Sequence, residues 1–260
     1  MFSNLLRNIT PVVKNLLIIN ILFYVAQWTF PSLMHNLELY PFSSYFFKPW
    51  QLATHFFMHS PYSIGHIFFN MFALVIFGTQ LERVWGAKRF LIYYFICAFG
   101  AALLHQVVLQ IEISNLKDLI SDNDWSVISQ SGHNIYKDLV DLQIREILHY
   151  KNTYGIDLNR NNNIIPLVMK TNTAMIGASG AVFGLLAAFG YLFPNTELML
   201  LFPPIPIKAK YFVVGYAIIE LYLGMSNNPG DNVAHFAHLG GAAIGILIVL
   251  YWQNNKNKFF

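Results

Sequence analysis

Residues 171–196 read TNTAMIGASGAVFGLLAAFGYLFPNT, a run without a single Asp, Glu, Lys or Arg. A transmembrane helix needs about 20 mostly apolar residues, and this run supplies them. Residues 15–37, 49–81, 90–111 and 232–255 are equally free of charge, and Tyr211 to Ser226 is broken only by Glu220. The sequence therefore predicts an all-α membrane protein with six transmembrane helices. Their expected positions are about 15–32, 65–81, 90–110, 175–193, 210–226 and 233–252. The runs are continuously apolar rather than alternating, which argues against a β-barrel.

Composition agrees with the runs. Of 260 residues, 55% are hydrophobic and 11% charged, against about 45–50% and about 25% in an average soluble domain. There is too little charge to coat a soluble globule, so the expected solvent is a lipid bilayer. A disordered chain, a nucleic-acid-binding arm and an ordinary cytosolic enzyme are excluded. The net charge of +3 is too small to imply a polyanionic partner. Gly-x-Gly-x-x-Gly and Walker patterns are absent, so no nucleotide is expected. The single cysteine, Cys97, excludes an internal disulfide and a thiolate zinc cluster, and within LIYYFICAFG it reads as a small core residue.

The whole chain, 1–260, reads as one membrane domain. The first apolar run has no Ala-x-Ala cleavage site after it and is long enough to span, so it is expected to be retained as a helix. Lys and Arg concentrate on one side of the six-span layout: Arg7 and Lys14, then Arg83, Lys88 and Arg89, then Lys208 and Lys210, then Lys256 and Lys258. The positive-inside rule places both termini in the cytoplasm. The loop between spans 3 and 4, residues 111–173, is then a long polar extracytoplasmic insertion holding about half of the chain's charged residues. Within it, HNIYKDLVDLQIREILHY (133–150) has Ile135, Leu139, Leu142, Ile144 and Ile147 at roughly helical spacing. That pattern predicts an amphipathic helix lying on the membrane surface. KNTYGIDLNRNNN (151–163) reads as an Asn-rich loop.

Polar groups in a span are costly and call for a function. His66 and Asn70, four apart in GHIFFN, share a helix face. Ser179 sits among Gly177, Ala178, Gly180, Ala181 and Gly184, so its hydroxyl is uncovered and another helix can approach closely. AHFAHLGGAAIG carries His235 and His238 ahead of Gly241 and Gly245, a small-x-x-x-small face. Two such faces bring a Ser–His hydrogen bond within reach, the minimum for an activated oxygen nucleophile. The rival use of the histidines is a metal site built from His55, His59, His66, His235 and His238. Their spacing does not match His-Glu-x-x-His and no acidic ligand lies near them, so neither a metal nor a cofactor is expected. Glu220 is expected to face the protein interior, protonated or hydrogen-bonded, as a structural contact.

Taken together, these clusters resemble the rhomboid family of intramembrane serine proteases. GHIFFN is similar to that family's His-x-x-x-Asn in the second span. GASGAVFG is similar to its Gly-x-Ser-Gly-x-x-x-Gly, and AHLGGAAIG to its Ala-His-x-x-Gly-x-x-x-Gly. Order and span agree over about 13–253. PWQLATHFFMH resembles the family's Trp-Arg loop with Gln51 where many members carry Arg, and Glu82-Arg-Val-Trp-Gly86 resembles its Glu-x-x-x-Gly turn. The resemblance implies a six-helix rhomboid-like bundle that cleaves transmembrane segments of other membrane proteins near the extracytoplasmic face. It implies Ser179 as nucleophile and His238 as base, a dyad with no carboxylate near either motif. It also implies an oxyanion hole of His66, Asn70 and the Ser179 amide. His238 is preferred to His235 because it directly precedes x-x-Gly-x-x-x-Gly. The compact core suggests a bacterial plasma membrane. Two departures stand out: Gln51 lacks the charged fork of Arg, and the 111–173 insertion exceeds the compact family core. The competing readings are a non-proteolytic rhomboid-like protein that binds membrane clients and a small transporter using the histidines as a proton relay. Paired inverted halves would mark the latter, and none is visible.

Overall fold

The computed structural model describes residues 8–140, 142–144, 146–199, 204–226 and 233–254. Arg7, Lys256 and Lys258, which entered the orientation argument, lie outside the described residues, as does most of the loop ahead of the last helix.

The chain is mainly helical. Helix α1 (Pro11–Thr29) starts on a proline, whose missing N–H costs nothing in a first turn. The next two amides, Val12 and Val13, donate to the Glu82 carboxylate at 3.0 and 2.9 Å, and the Thr10 hydroxyl donates to it as well. An acid on a distant helix thus caps α1. A short α2 (Pro31–His35) and α3 (Gln51–Thr54) bracket the loop before the second span. That span is α4 (Ile64–Ala73), which passes through a π turn at Leu74–Gly78 into α5 (Thr79–Trp85). Gly86, at φ +76°, turns the chain into α6 (Ala87–Lys117).

At 31 residues, α6 rises about 46 Å at 1.5 Å per residue, well beyond the roughly 30 Å hydrocarbon layer. It therefore runs without a break through the expected boundary at 111 and enters the insertion. The insertion is a folded unit. It holds α7 (Asp122–Val140), α8 (Ile147–Tyr154) and α9 (Ile164–Asn172). These close with the end of α6 around a core that includes Ile113, Ile135, Tyr150, Ile156, Ile164 and Leu167. This corrects the single surface helix expected over 133–150. Ile135 and Leu139 are buried in the insertion's own core, whereas Leu142 is 59% exposed. It also shortens the Asn-rich loop expected over 151–163 to 155–163, since α8 continues through Tyr154 and stops at Gly155, φ +75°. Asp138 ties the unit together, accepting from His149 Nε2 at 2.9 Å and from the Tyr154 hydroxyl at 2.7 Å. Burial pushes the Asp138 carboxyl up, but these two hydrogen bonds outweigh it and hold the group below the ordinary carboxylate value. Burial and the same carboxylate push Tyr154 up to about 12.

Helix α10 (Ser179–Leu192) is the central element, buried from Gly180 to Gly190. Its 14 residues rise about 21 Å, short of the hydrocarbon thickness. The chain ahead of it is non-helical, and Met175 pairs its backbone with Leu39 in both directions, at 2.8 and 3.0 Å. A two-stranded exception to the all-α expectation follows α10: β1 (Glu197–Met199) pairs antiparallel with β2 (Pro206–Lys208). Then come α11 (Ala209–Ser226) and α12 (His235–Asn254). The membrane core gathers Val13, Leu16, Leu74, Phe90, Tyr93, Leu185 and Val249 from α1, the second span, α6, α10 and α12. Helix α11 adds nothing to that cluster among the described residues; it buries only Ala209 and Glu220.

By length and composition, four helices among the described residues are long and apolar enough to cross a membrane: Pro11–Thr29, Ile64–Trp85, Ala87–Lys117 and His235–Asn254. The expected fourth span is the short, fully surrounded α10. The expected fifth is α11, whose apolar character Lys210 and Glu220 dilute.

The insertion core gives a direct test. Ile135→Ala should cost about 2–5 kcal/mol within residues 122–172. Limited proteolysis should then cut this segment sooner than in wild type, while the membrane helices stay protected.

Candidate functional site

The site forms where α10 and α12 meet. A side chain at Gly241 would run into the Gly180 carbonyl, and one at Gly180 into Ala101 of α6. The absence of both lets the two backbones touch. Farther along the same seam, Gly184 faces Cys97 and Gly241, and Gly245 faces Tyr93, whose hydroxyl donates to the Gly184 carbonyl at 2.6 Å. Cys97 is buried there, as expected of a core residue.

The seam brings Ser179, the first residue of α10, to His238 in the first turn of α12. Ser179 Oγ and His238 Nε2 are 2.8 Å apart. Phe183, one turn beyond Ser179, stacks flat on the His238 ring at 4.3 Å and 5°. Gly177 has φ +117°, a conformation that favours glycine, and a Cβ there would meet His66 Nε2 at 2.7 Å. The His66 ring therefore lies against the turn that leads into Ser179. The Ser60 amide donates to His66 Nδ1 at 3.3 Å, which leaves Nε2 to carry the proton and face Gly177 as a donor. Asn70 is buried, and one Nδ2 hydrogen goes to the His66 carbonyl at 3.0 Å, leaving one for another acceptor. The Ser179 amide is a first-turn N–H, without an intrahelical acceptor.

Two corrections to the sequence reading concern acids and amides. A carboxylate does lie beside the histidines. Glu220 of α11 is 4% exposed, and its Oε2 accepts from His235 Nδ1 at 2.7 Å and from His238 Nδ1 at 2.8 Å. Glu220 thus faces inward and is hydrogen-bonded, as expected, but to the proposed base itself. His235, His238 and Glu220 are also three potential metal ligands, with donor atoms within 4.8 Å of one another. Ligand atoms on a tetrahedral zinc with bonds of about 2.0–2.1 Å stand about 3.3 Å apart. Separations of 2.7 and 2.8 Å are hydrogen-bond lengths, so the group is arranged as a hydrogen-bonded network.

The second correction is Gln51. It anchors its loop without a charge. Its Oε1 accepts from the Lys48 and Tyr40 amides at 3.1 and 3.3 Å, and its Nε2 donates to the Phe46 and Asn36 carbonyls at 2.9 and 3.4 Å. Two glutamines the sequence reading passed over act likewise. Gln27 of α1 brackets His59 through its carbonyl at 2.7 Å and its amide at 3.0 Å. Gln106 of α6 holds Tyr40 and Phe42, both at 3.1 Å. Glutamine in an apolar run facing a loop was the available signal.

This is a multi-pass helical membrane protein with a Ser–His pair at the end of its central helix. The Rhomboid domain description matches residues 47–113 and 159–254, more than half of the chain, and the chain belongs to the rhomboid family. The gap in the match falls on α7 and α8 of the insertion. The chain is 27% identical to the rhomboid protease AarA of Providencia stuartii over 248 residues, covering 90% of this chain and 69% of that protein. It is 24% identical to a mitochondrial rhomboid protein of Schizosaccharomyces pombe over 236 residues, 85% of this chain and 55% of that one. A third relative, the mitochondrial RHOMBOID-like protein 6 of Arabidopsis thaliana, is 38% identical over 67 residues, 26% of this chain and 21% of that protein. The chain thus spans about a fifth of one of these relatives and about half of another.

Two substitutions test the geometry. Gly241→Val should prevent α12 from seating on α10 and abolish the folded protein, whereas Gly215→Ala, with open space around it, should leave the melting temperature within a few degrees. Gln51→Ala removes four part-buried hydrogen bonds to the backbone, each worth about 0.5–1.5 kcal/mol. A clear fall in melting temperature is expected, read by thermal unfolding in detergent.

Proposed function

We propose that this chain is an intramembrane serine endopeptidase that cleaves transmembrane segments of other membrane proteins near the extracytoplasmic face, with Ser179 and His238 as its catalytic pair. The observation that carries the reading is the 2.8 Å contact between Ser179 Oγ and His238 Nε2 on two helices in backbone contact. The protease among the relatives supports it at the level of the family.

In this reading Ser179 Oγ attacks the scissile carbonyl as His238 Nε2 takes its proton. The oxyanion is met by the His66 Nε2–H, the remaining Asn70 Nδ2–H and the Ser179 amide. The C–N bond then breaks as His238 returns the proton to the leaving amine. Water, deprotonated by His238, hydrolyses the acyl-enzyme. Water must reach Ser179 from the extracytoplasmic side. A substrate helix hides its carbonyls in hydrogen bonds, so it must unwind first, and helix-breaking residues near the cut lower that cost.

The proposed topology is six spans, with α10 and α11 as the fourth and fifth, both termini cytoplasmic and the insertion outside. Helix α11 and the loop before α12 serve as the lateral entrance. The exposed apolar side chains of α11, such as Val214, Ile218 and Tyr222, support that role. The proposed location is a bacterial plasma membrane. A mitochondrial membrane, named for two of the relatives, is the competing location, which cell fractionation decides.

Ser179→Ala and His238→Ala should each abolish cleavage of a reporter transmembrane segment, and Ser179→Ala should abolish labelling by a fluorophosphonate. Full activity of Ser179→Ala would overturn the reading. His235→Ala should retain measurable activity. Asn70→Ala should lose about 10²–10³ in turnover, the usual cost of one oxyanion donor.

A further inference from the structure

Glu220 reaches the Ser–His pair from a third helix. Both imidazoles converge on one oxygen, Oε2, through Nδ1. Two N–H donors on one oxygen is the pattern of an ionised acceptor. The consequence falls on His238. With its Nδ1 proton donated to Glu220, its Nε2 is left with a lone pair, and that atom lies 2.8 Å from Ser179 Oγ. The opposite tautomer would set the Nδ1 lone pair against a carboxylate oxygen at the same 2.8 Å and give Ser179 no base. A carboxylate there also faces the positive charge that His238 gains when it takes the serine proton. His235, 2.7 Å from the same oxygen, supplies the second donor that orients the acid. Phe183 stacked on the His238 ring leaves it little freedom to turn away.

We propose that Glu220 is a positioning residue for the reaction, holding His238 in the base-competent tautomer and stabilising its imidazolium, so that Ser179, His238 and Glu220 act as a hydrogen-bonded triad. The inference rests on the proteolytic reading of Ser179 and His238 and extends the dyad that the sequence implies. No proton passes to Glu220. The proton taken from Ser179 stays on His238 Nε2 until the leaving amine receives it.

The test uses the full chain, purified in detergent, with a reporter transmembrane segment. Glu220→Gln should melt close to wild type, lose about 10²–10⁴-fold in kcat, as removal of a triad acid does elsewhere, and keep KM within about threefold. Glu220→Asp should recover at least tenfold of that loss, because it keeps the charge. A folded Glu220→Gln enzyme with wild-type kcat overturns the proposal. A rise in KM beyond threefold together with the fall in kcat, with no rescue by Asp, reduces Glu220 to a packing contact and overturns it too. Should Glu220→Gln fail to fold, the wild-type chain labelled with 15N-histidine decides. The His238 signals, assigned by their loss in His238→Gln, should be those of a neutral ring protonated at Nδ1, and protonation at Nε2 overturns the proposal. Wild-type enzyme that neither cleaves the reporter nor takes up fluorophosphonate would instead defeat the proteolytic reading, and this proposal with it.

Discussion

The structure depends on the contact between the backbones of α10 and α12 at Gly180 and Gly241. In lipid the hydrophobic effect gives helices little reason to associate, so close packing and internal hydrogen bonds must do so. This seam uses both. Small residues on α6, Ala101 and Cys97, bring a third helix against the same line, and the Tyr93 hydroxyl reaches the Gly184 carbonyl across it. Glycine costs about 1 kcal/mol against alanine in a solvated helix. Here that cost is repaid by helix separations no side chain would permit. A serine has a short reach, so the 2.8 Å contact with His238 exists only because the helices are this close.

The second constraint is that non-helical backbone beside the site must be satisfied inside the protein, since lipid offers no hydrogen bonds. The segment from Asn36 to Ser60 meets it with neutral amides. Gln27, Gln51 and Gln106, from three different elements, each use both ends of the side chain on backbone partners. An arginine would add a charge at position 51 and offer only donors. Glutamine can serve the Lys48 and Tyr40 amides as well as the Phe46 and Asn36 carbonyls. The change from the usual residue alters the chemistry of the anchor and keeps its purpose. With this loop fixed, Ser60 and Gln27 in turn set His66 and His59.

What was legible in the sequence follows from the range of each interaction. Four of the six expected spans could be read, among the described residues, because lipid excludes charge over a whole helix. The meeting of Ser179 and His238, 2.8 Å apart, could be read because each stands beside small residues spaced within its own helix. The Glu220 contact could not. It joins α11 to α12, and no periodicity links residues on separate helices. A carboxylate read as a structural contact is also the common case. The insertion was misread for a related reason. Helix α7 pairs a polar outer face with a few buried apolar residues such as Ile128 and Ile135, a pattern that suits a membrane surface as well as a small core. Only the partners on α8 and α9 distinguish the two, and Asp138 fastens α8 to α7 through its hydrogen bonds to His149 and Tyr154.

Glu220 gives α11 a peculiar position. The helix shares no residue with the main apolar cluster among the described residues, and its two buried side chains are Ala209 at its start and Glu220. Tyr216 adds a contact to Phe183, whose ring covers His238. What fixes the middle of α11 to the bundle is therefore a carboxylate shared by two histidines and an aromatic stack on one of them. An unpaired carboxylate in hydrocarbon is expensive, so a displacement of α11 that parted Glu220 from both rings would carry that cost. A smaller displacement that kept one hydrogen bond would not. The side of the bundle that is most lightly packed is thus also the side whose position is tied to the imidazole facing Ser179. In the proposed mechanism, helix position there and the readiness of His238 to accept a proton are set by the same pair of hydrogen bonds.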